Sequence, residues 1–223
     1  GAARGLPVGF RGRNYLIGAG SDTSESIAHV NIFFDRWTRG RLLRPLIGED
    51  SDRSSPERVR ADVCVPGHSL LRQATEADFR TTMVDAYLVK VDRASMLNSL
   101  EVRAPWLDHH IIDFAFGRVP DAMRATTRER KILPKRLVRR LLPPALDLTR
   151  KQGFSIPLST WFKGSWGKYF TEVLNESDPH ILDRRTIGTL IDGQRHGFSN
   201  SQRLFVLTIF ELWRREYRVS IGA

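Results

Sequence analysis

Apolar residues in this chain recur at spacings of three and four, and no two neighbouring runs alternate as a strand pair would. That period lines one face of a helix, so the pattern predicts a mainly α fold. From Ser24, the positions Ile27, Val30, Phe34 and Trp37 predict one helix. Ser55, Pro56 and Glu57 read as an N-cap, a proline at the first helical position and an acid in the first turn. Gly48 to Ser54 reads as a polar loop, and Val63 to Gly67 as a turn or a brief strand.

Thr75 and Asp78 form a capping-box-like pair that predicts a helix through Phe79, Met83, Tyr87, Leu88 and Val91 to about Met96. A loop holding Pro105 follows. Asp108 then reads as the cap of an apolar helix near Ile111 to Phe116, closed by Gly117 and Pro120. Thr126 and Glu129 predict the start of a basic helix with Leu133, Leu137 and Leu141 four apart, stopped by Pro143 and Pro144. Pro134 would bend that helix next to Lys131. Beyond a loop from Lys151 to Pro157, Trp161, Phe162, Trp166, Tyr169 and Phe170 predict an aromatic-rich helix. The last long helix begins after Ser199 and Asn200 and carries Leu204, Leu207, Phe210, Leu212 and Trp213. With no fixed-period repeat, residues 1–223 read as a single helical domain.

Composition narrows the function classes. Apolar content of 41% and charged content of 27% are ordinary for a soluble globular chain. No run of about 18 apolar residues is present, so no membrane span is expected. The first residues lack the apolar stretch of a secretory signal. Cys64 is the single cysteine and cannot close an internal disulfide, which fits the cytoplasm. The net charge of +10 is carried almost entirely by arginine, spread along the chain and mixed with acids. Nucleic acid is therefore not expected as a partner. Cys64 with His68, and the adjacent His109 and His110, lack a third ligand at metal spacing, so no metal site is expected.

Glu101 and Arg103 alternate on a stretch held extended by Pro105, so both side chains point to one face. Two readings stand. The pair could hold an amino-acid substrate, carboxylate to Arg103 and ammonium to Glu101, or it could be a buried structural ion pair. Asp92 and Arg93 on the preceding helix read either as an anchor for that loop or as further substrate contacts. Lys131, taken by itself in Arg128-Glu-Arg-Lys131, reads as a solvated residue of a basic face.

Three stretches in order change that weighting. The first is Lys90-Val-Asp-Arg-Ala-Ser-Met96 followed by Leu100-Glu-Val-Arg-Ala-Pro-Trp-Leu-Asp108. The second is Lys131-Ile-Leu-Pro-Lys-Arg, with Leu141-Leu-Pro143 and Arg150-Lys-Gln-Gly-Phe-Ser-Ile-Pro157. The third is His196-Gly, Ser201-Gln-Arg-Leu and Glu211-Leu-Trp. Together, over about residues 85–213, they resemble the glutamine-hydrolysing asparagine synthetase family.

The resemblance implies the helical carboxy-terminal half of an adenine-nucleotide α-hydrolase-like (ATP pyrophosphatase) α/β synthetase domain. It implies ATP-dependent amide formation through an acyl-adenylate, aspartate first among the acceptors, with β-lactam and peptide precursors beside it. The alternatives are a non-catalytic interaction module with the family's fold, or a basic nucleic-acid-binding domain. Lys131 falls at the family's catalytic lysine, where a fixed cation meets charge gathered during adenylation. Pro134 departs from the usual leucine. Lys151, Gln152 and Gly153 match a loop that could close over the pocket, or form a plain surface turn. The family's Ser-Gly-Gly-x-Asp-Ser nucleotide loop has one imitation here, Gly18-Ala-Gly20-Ser-Asp22, preceded by only three apolar residues and no βα unit. The acidic magnesium-holding motif has no counterpart. ATP and Mg²⁺ thus belong to the complete enzyme, with neither expected to bind this chain strongly alone. The implied partners are the preceding synthetase half and a glutaminase domain, in cis or in trans, with a homo-oligomer as a further option.

Overall fold

Short polar side chains set where the helices begin. In the computed structural model, which describes residues 2–29, 32–43, 55–149, 153 and 156–220, six N-caps have this origin, Asp22 before Thr23–His29 among them. Asp35 accepts from the Thr38 N–H at 2.9 Å, Ser55 from Arg58 at 3.2 Å and Ser69 from Arg72 at 3.2 Å. Asp108 accepts from His110 at 2.9 Å and Asp183 from Thr186 at 2.7 Å. Each oxygen occupies one of the backbone donors that a helix start leaves open.

The resulting elements are α1 (Arg13–Gly18), α2 (Thr23–His29), α3 (Arg36–Leu42), α4 (Pro56–Asp62) and α5 (Leu70–Asp78), then a π-helical stretch Phe79–Leu88. They continue as α6 (Val89–Met96), α7 (His109–Gly117), α8 (Asp121–Arg124), α9 (Ile132–Leu141), α10 (Leu158–Trp161), α11 (Ser165–Asn175), α12 (Arg184–Arg195) and α13 (Ser201–Glu216). Among the described residues the sole β feature is an isolated bridge, Ala125 to Arg130. The mainly α expectation holds, and no described helix is long and apolar enough to cross a membrane.

Several boundaries differ from the sequence reading, each for a local reason. The apolar spacing from Ile27 to Trp37 does not belong to one helix, because Asp35 adopts an extended backbone (ψ 163°) and opens α3 anew. Val30 and the loop from Gly48 to Ser54 lie outside the described residues. The helix expected to be capped by Thr75 begins six residues earlier, capped by Ser69. Thr75 is interior, its hydroxyl donating back to the carbonyls of Leu71 (2.9 Å) and Arg72 (3.0 Å). Val63 to Gly67 leaves α4 as turn and loop, with Gly67 at φ 85°.

Thr126 does accept the Glu129 N–H at 3.0 Å, as a capping box requires. The backbone then closes a turn, Thr126 N–H to Glu129 carbonyl at 2.7 Å, and α9 waits until Ile132. Pro134 therefore sits third in α9, where a backbone N–H would have had no intrahelical partner, so its missing donor costs nothing and the anticipated bend beside Lys131 is not needed. The aromatic segment divides at Gly164 into α10 and α11. Helix α12, which sequence reading left without an element, is a polar run that buries Ile187, Leu190 and Ile191.

The helices belong to two compact units. The first comprises Gly1–Asp62 with Ile156–Ala223. Its core gathers Leu42 of α3, Leu174 of α11, Ile181, Leu182, the three α12 residues, and Leu204 and Leu207 of α13. Burying branched aliphatics of this size contributes roughly 1.5–3 kcal/mol each. Arg39 of α3 grips Glu57 of α4 through two hydrogen bonds of 2.9 and 2.6 Å, a bidentate pair that fixes those helices together.

Gly167 shows how closely the turn between α10 and α11 is packed. A β-carbon there would stand 2.1 Å from the Phe162 carbonyl oxygen, which is backbone and cannot swing away. Gly167→Ala is expected to cost about 2 kcal/mol and lower the thermal midpoint by about 6 °C. An unchanged midpoint in calorimetry would mean the turn opens freely.

The second unit, Val63–Ser155, holds α5 through α9. It buries little: Ala77 and Ile132 are enclosed, and Phe79 meets Phe116 edge-on at 5.4 Å. Leu97, Leu100, Trp106 and Leu141 stay exposed. Between α5 and α6, hydrogen bonds spanning five residues widen the helix over ten residues, a rare geometry found mostly as single turns near functional sites.

Candidate active site

The second unit builds a cleft from one helix and one extended strand-like segment. Helix α6 ends at Met96, and the chain turns through Ser99, which takes a left-handed backbone at φ 55°. It then runs extended from Glu101 to Ala104 into Pro105, as the residue before a proline favours. Glu101 and Arg103 project together and form an ion pair of 2.5 Å, with their side chains 69% and 86% exposed. The buried version of this pair is thus not what forms. An exposed pair contributes about 0–1 kcal/mol, so a substrate bearing the complementary charges can displace it cheaply.

Asp92 of α6 joins them. A recess of about 380 Å³ is lined by Asp92, Met96, Ser99, Glu101, Val102 and Arg103. Asp92 and Arg103 also border a larger cleft of about 730 Å³, walled by Val84, Leu88 and Leu107 and edged by Asp108. Two carboxylates and a guanidinium on apolar walls suit a small zwitterion: ammonium to acid, carboxylate to arginine, stem on aliphatic surface. Arg93 is exposed and lines neither space.

Lys131 breaks two local rules at once. It adopts the left-handed backbone, φ 58° and ψ 42°, at the N-cap of α9. That conformation costs a non-glycine residue roughly 1–2 kcal/mol, and short polar oxygens, not lysine, are favoured at an N-cap. A cation at a helix start also opposes the helix dipole. The arrangement makes sense for an anion, which would meet the ammonium and the open N–H groups of α9 together. Nearby Lys135 is held by Glu129 at 3.5 Å, whereas Lys131 has no ion pair among the described residues and is exposed. Lys131 lines neither cleft.

The glycine-rich loop forms something other than a strand–loop–helix. Tyr15, Leu16 and Ile17 lie inside α1, and Gly18 is its last residue. Gly20 follows in a turn. Asp22 accepts the Glu25 N–H and the Ser24 hydroxyl, both at 2.9 Å, at the start of α2. The Glu25 N–H bond, then Ser24, holds its carboxyl below the ordinary value. A β-carbon on Gly18 would sit 3.1 Å from the Ser26 hydroxyl, so Gly18 serves the approach of α1 to α2. Lys151 and Gln152 lie outside the described residues, and Gly153 is exposed.

Two buried charge clusters escaped the sequence reading, both in the first unit. Arg13 pairs with Asp35, and the two side chains are 2% and 5% exposed. Burial pushes the Asp35 carboxyl up, but hydrogen bonds from Arg13 and Thr38 outweigh it and leave it below the ordinary carboxylate value. Burial lowers the neighbouring Arg203, partly offset by the Asp35 charge. In α13, Glu211 is fully enclosed and accepts from Arg214 at 2.8 and 2.9 Å and from Arg215 at 2.8 Å. Burial raises it; the two arginines more than reverse that. The sequence signal for Glu211 was its place in the closing Glu-Leu-Trp stretch, while nothing local marks Arg13.

The sequence profile of the family described as asparagine synthase matches residues 23–215. The chain belongs to the asparagine synthase family. Among its relatives, "Asparagine synthetase [glutamine-hydrolyzing] 1" of Bacillus subtilis is 27% identical over 93% of this chain and 33% of its own length. Mycobacterium bovis and Mycobacterium tuberculosis each have a protein provisionally named as a glutamine-hydrolysing asparagine synthetase, 28% identical over 93% of this chain and 32% of theirs. The chain spans about a third of the length of these curated relatives. No solved structure gives a significant match. The asparagine synthase match takes in the cleft residues Asp92, Glu101 and Arg103 as well as Lys131.

Proposed function

We propose that this chain supplies the helical, acceptor-binding part of an ATP-dependent amide-forming site. In that reaction the carboxylate of aspartate attacks the α-phosphorus of ATP, releasing pyrophosphate and leaving an acyl-adenylate. Ammonia then adds to the acyl carbon, a proton is lost, and AMP departs to give asparagine. The observation that carries the reading is the meeting of Asp92, Glu101 and Arg103 at one recess in a chain of this family. Arg103 takes the α-carboxylate of the amino acid and Glu101, with Asp92, its ammonium, leaving the side-chain carboxylate free to react. Lys131, held out at a strained helix start, faces the charge of adenylation.

The wider reading is an adenine-nucleotide hydrolase-like domain of which residues 1–223 form one part, in the cytoplasm. The preceding synthetase half, carrying the nucleotide loop, and a glutaminase domain as ammonia source would complete it. Exposed Leu97, Leu100 and Trp106 offer apolar surface for the former or for self-association. The convergent set Asp108, His109 and His110 includes two imidazoles and does not suit Mg²⁺, which takes oxygen.

The test is pyrophosphate release with ATP, aspartate and ammonia, for the chain alone and recombined with the preceding synthetase segment. Release is expected on recombination and should fall about 100-fold in Lys131→Ala, the cost of removing one fixed charge-stabilising group. Recombined protein that binds ATP yet releases no pyrophosphate would overturn the proposal. Full activity in Lys131→Ala would remove that residue from it.

A further inference from the structure

At the mouth of α7, three consecutive side chains converge although sequence spacing gave no reason to expect a site. The ligand atoms of Asp108, His109 and His110 all lie within 4.8 Å of one another. The two imidazole rings are 3.8 Å apart, centre to centre, and tilted by 40°. Asp108 is not free to wander. One carboxylate oxygen accepts the His110 N–H at 2.9 Å as the cap of α7, which anchors the group and leaves its other oxygen available. The signal missed in the sequence was that the capping residue is itself the third ligand.

We propose that Asp108, His109 and His110 form a binding site for one borderline divalent transition ion of the Zn²⁺ class. Two imidazole nitrogens and one carboxylate oxygen match the donor preferences of Zn²⁺, Ni²⁺ and Cu²⁺ and not those of Mg²⁺ or Ca²⁺. Ligands on a common Zn²⁺ at about 2.0–2.2 Å stand no more than about 4.4 Å apart. Closing the three inward by a few tenths of an ångström needs only side-chain rotation at exposed residues. All three are exposed, so solvent fills the remaining coordination positions and affinity is modest. Because Asp108 also edges the larger cleft, an ion here sits at the entrance to the space bordered by Asp92 and Arg103. The site stands independently of the amide-forming reaction.

Zn²⁺ titration calorimetry on the full chain tests it, with secondary structure checked by circular dichroism. One saturable site is expected. His109→Ala and His110→Ala should each weaken it at least tenfold, and exposed His180→Ala should leave it unchanged. Asp108→Asn keeps an equally good helix cap and is expected to weaken Zn²⁺ while α7 stays folded. Absence of a saturable site, a change below tenfold in either histidine variant, or displacement of Zn²⁺ by equimolar Mg²⁺ would overturn the assignment.

Discussion

Glu211→Ala is expected to destabilise the first unit by about 3 kcal/mol, because it empties a buried site and takes the carboxylate from Arg214 and from Arg215, which keeps only its 3.3 Å pairing with Glu176. The carboxylate is fully enclosed and takes three hydrogen bonds from Arg214 and Arg215. Those arginines reach onward. Arg214 also donates to the Val219 carbonyl at 3.1 Å, and Arg215 to the Val173 carbonyl of α11 at 3.0 Å. Losing Glu211 therefore loosens the tail after α13 and the seam to α11 together. Urea denaturation gives the measure, and a loss under 1 kcal/mol would mean that water readily replaces the carboxylate.

The same residue makes stability depend on pH. The folded-state value of Glu211 lies below its ordinary 4.5, so the unfolded chain binds the proton more tightly. Its contribution is complete above about 4.5 and is lost as pH falls through the lowered folded value. Asp35, below its ordinary 3.8, adds a loss of the same sign at slightly lower pH. Midpoints measured from pH 7 to pH 3 should drop at the acid end, and the Glu211→Ala variant should drop less.

Asp35→Ala is the second large effect, about 3–5 kcal/mol, for a compound reason. The substitution removes the cap of α3 and leaves Arg13 buried with only its 3.1 Å bond to the Leu6 carbonyl. Asp35→Asn separates the two contributions. Asparagine caps as well as aspartate, so this variant should retain about 1 kcal/mol that alanine loses. Equal stability of the two variants would show that the cap contributes nothing and the ion pair everything.

Much of the helical architecture was legible because its signals are local. Ser55 with Pro56, and Asp108 before the α7 apolar run, announce their helices by chemistry that acts within one turn. The same locality explains the errors. A threonine three residues before an aspartate can cap a helix or lie inside one, and only the presence of Ser69 upstream decides between them. The apolar spacing across Asp35 continues in phase although the backbone breaks there.

The candidate site was readable in pieces. Glu101 and Arg103 follow from the proline after them, while their meeting with Asp92 depends on the turn at Ser99. The left-handed backbone of Lys131 has no sequence signature, and the Arg13–Asp35 pair spans 22 residues that no local rule connects.

The wide helical turns from Phe79 to Leu88 act on the cleft at a distance, as a vernier between two scales. They set the angle at which α6 leaves α5, and so the direction in which Asp92 points. Deleting one residue anywhere in that stretch would change the phase of everything after it by roughly a quarter turn, since a residue contributes about 100° in an α-helix and somewhat less in these wider turns. Asp92 would then turn from the recess without being altered. Across this family member, the number of residues between Ser69 and Asp92 is thus as much a part of the cleft as the side chains that line it.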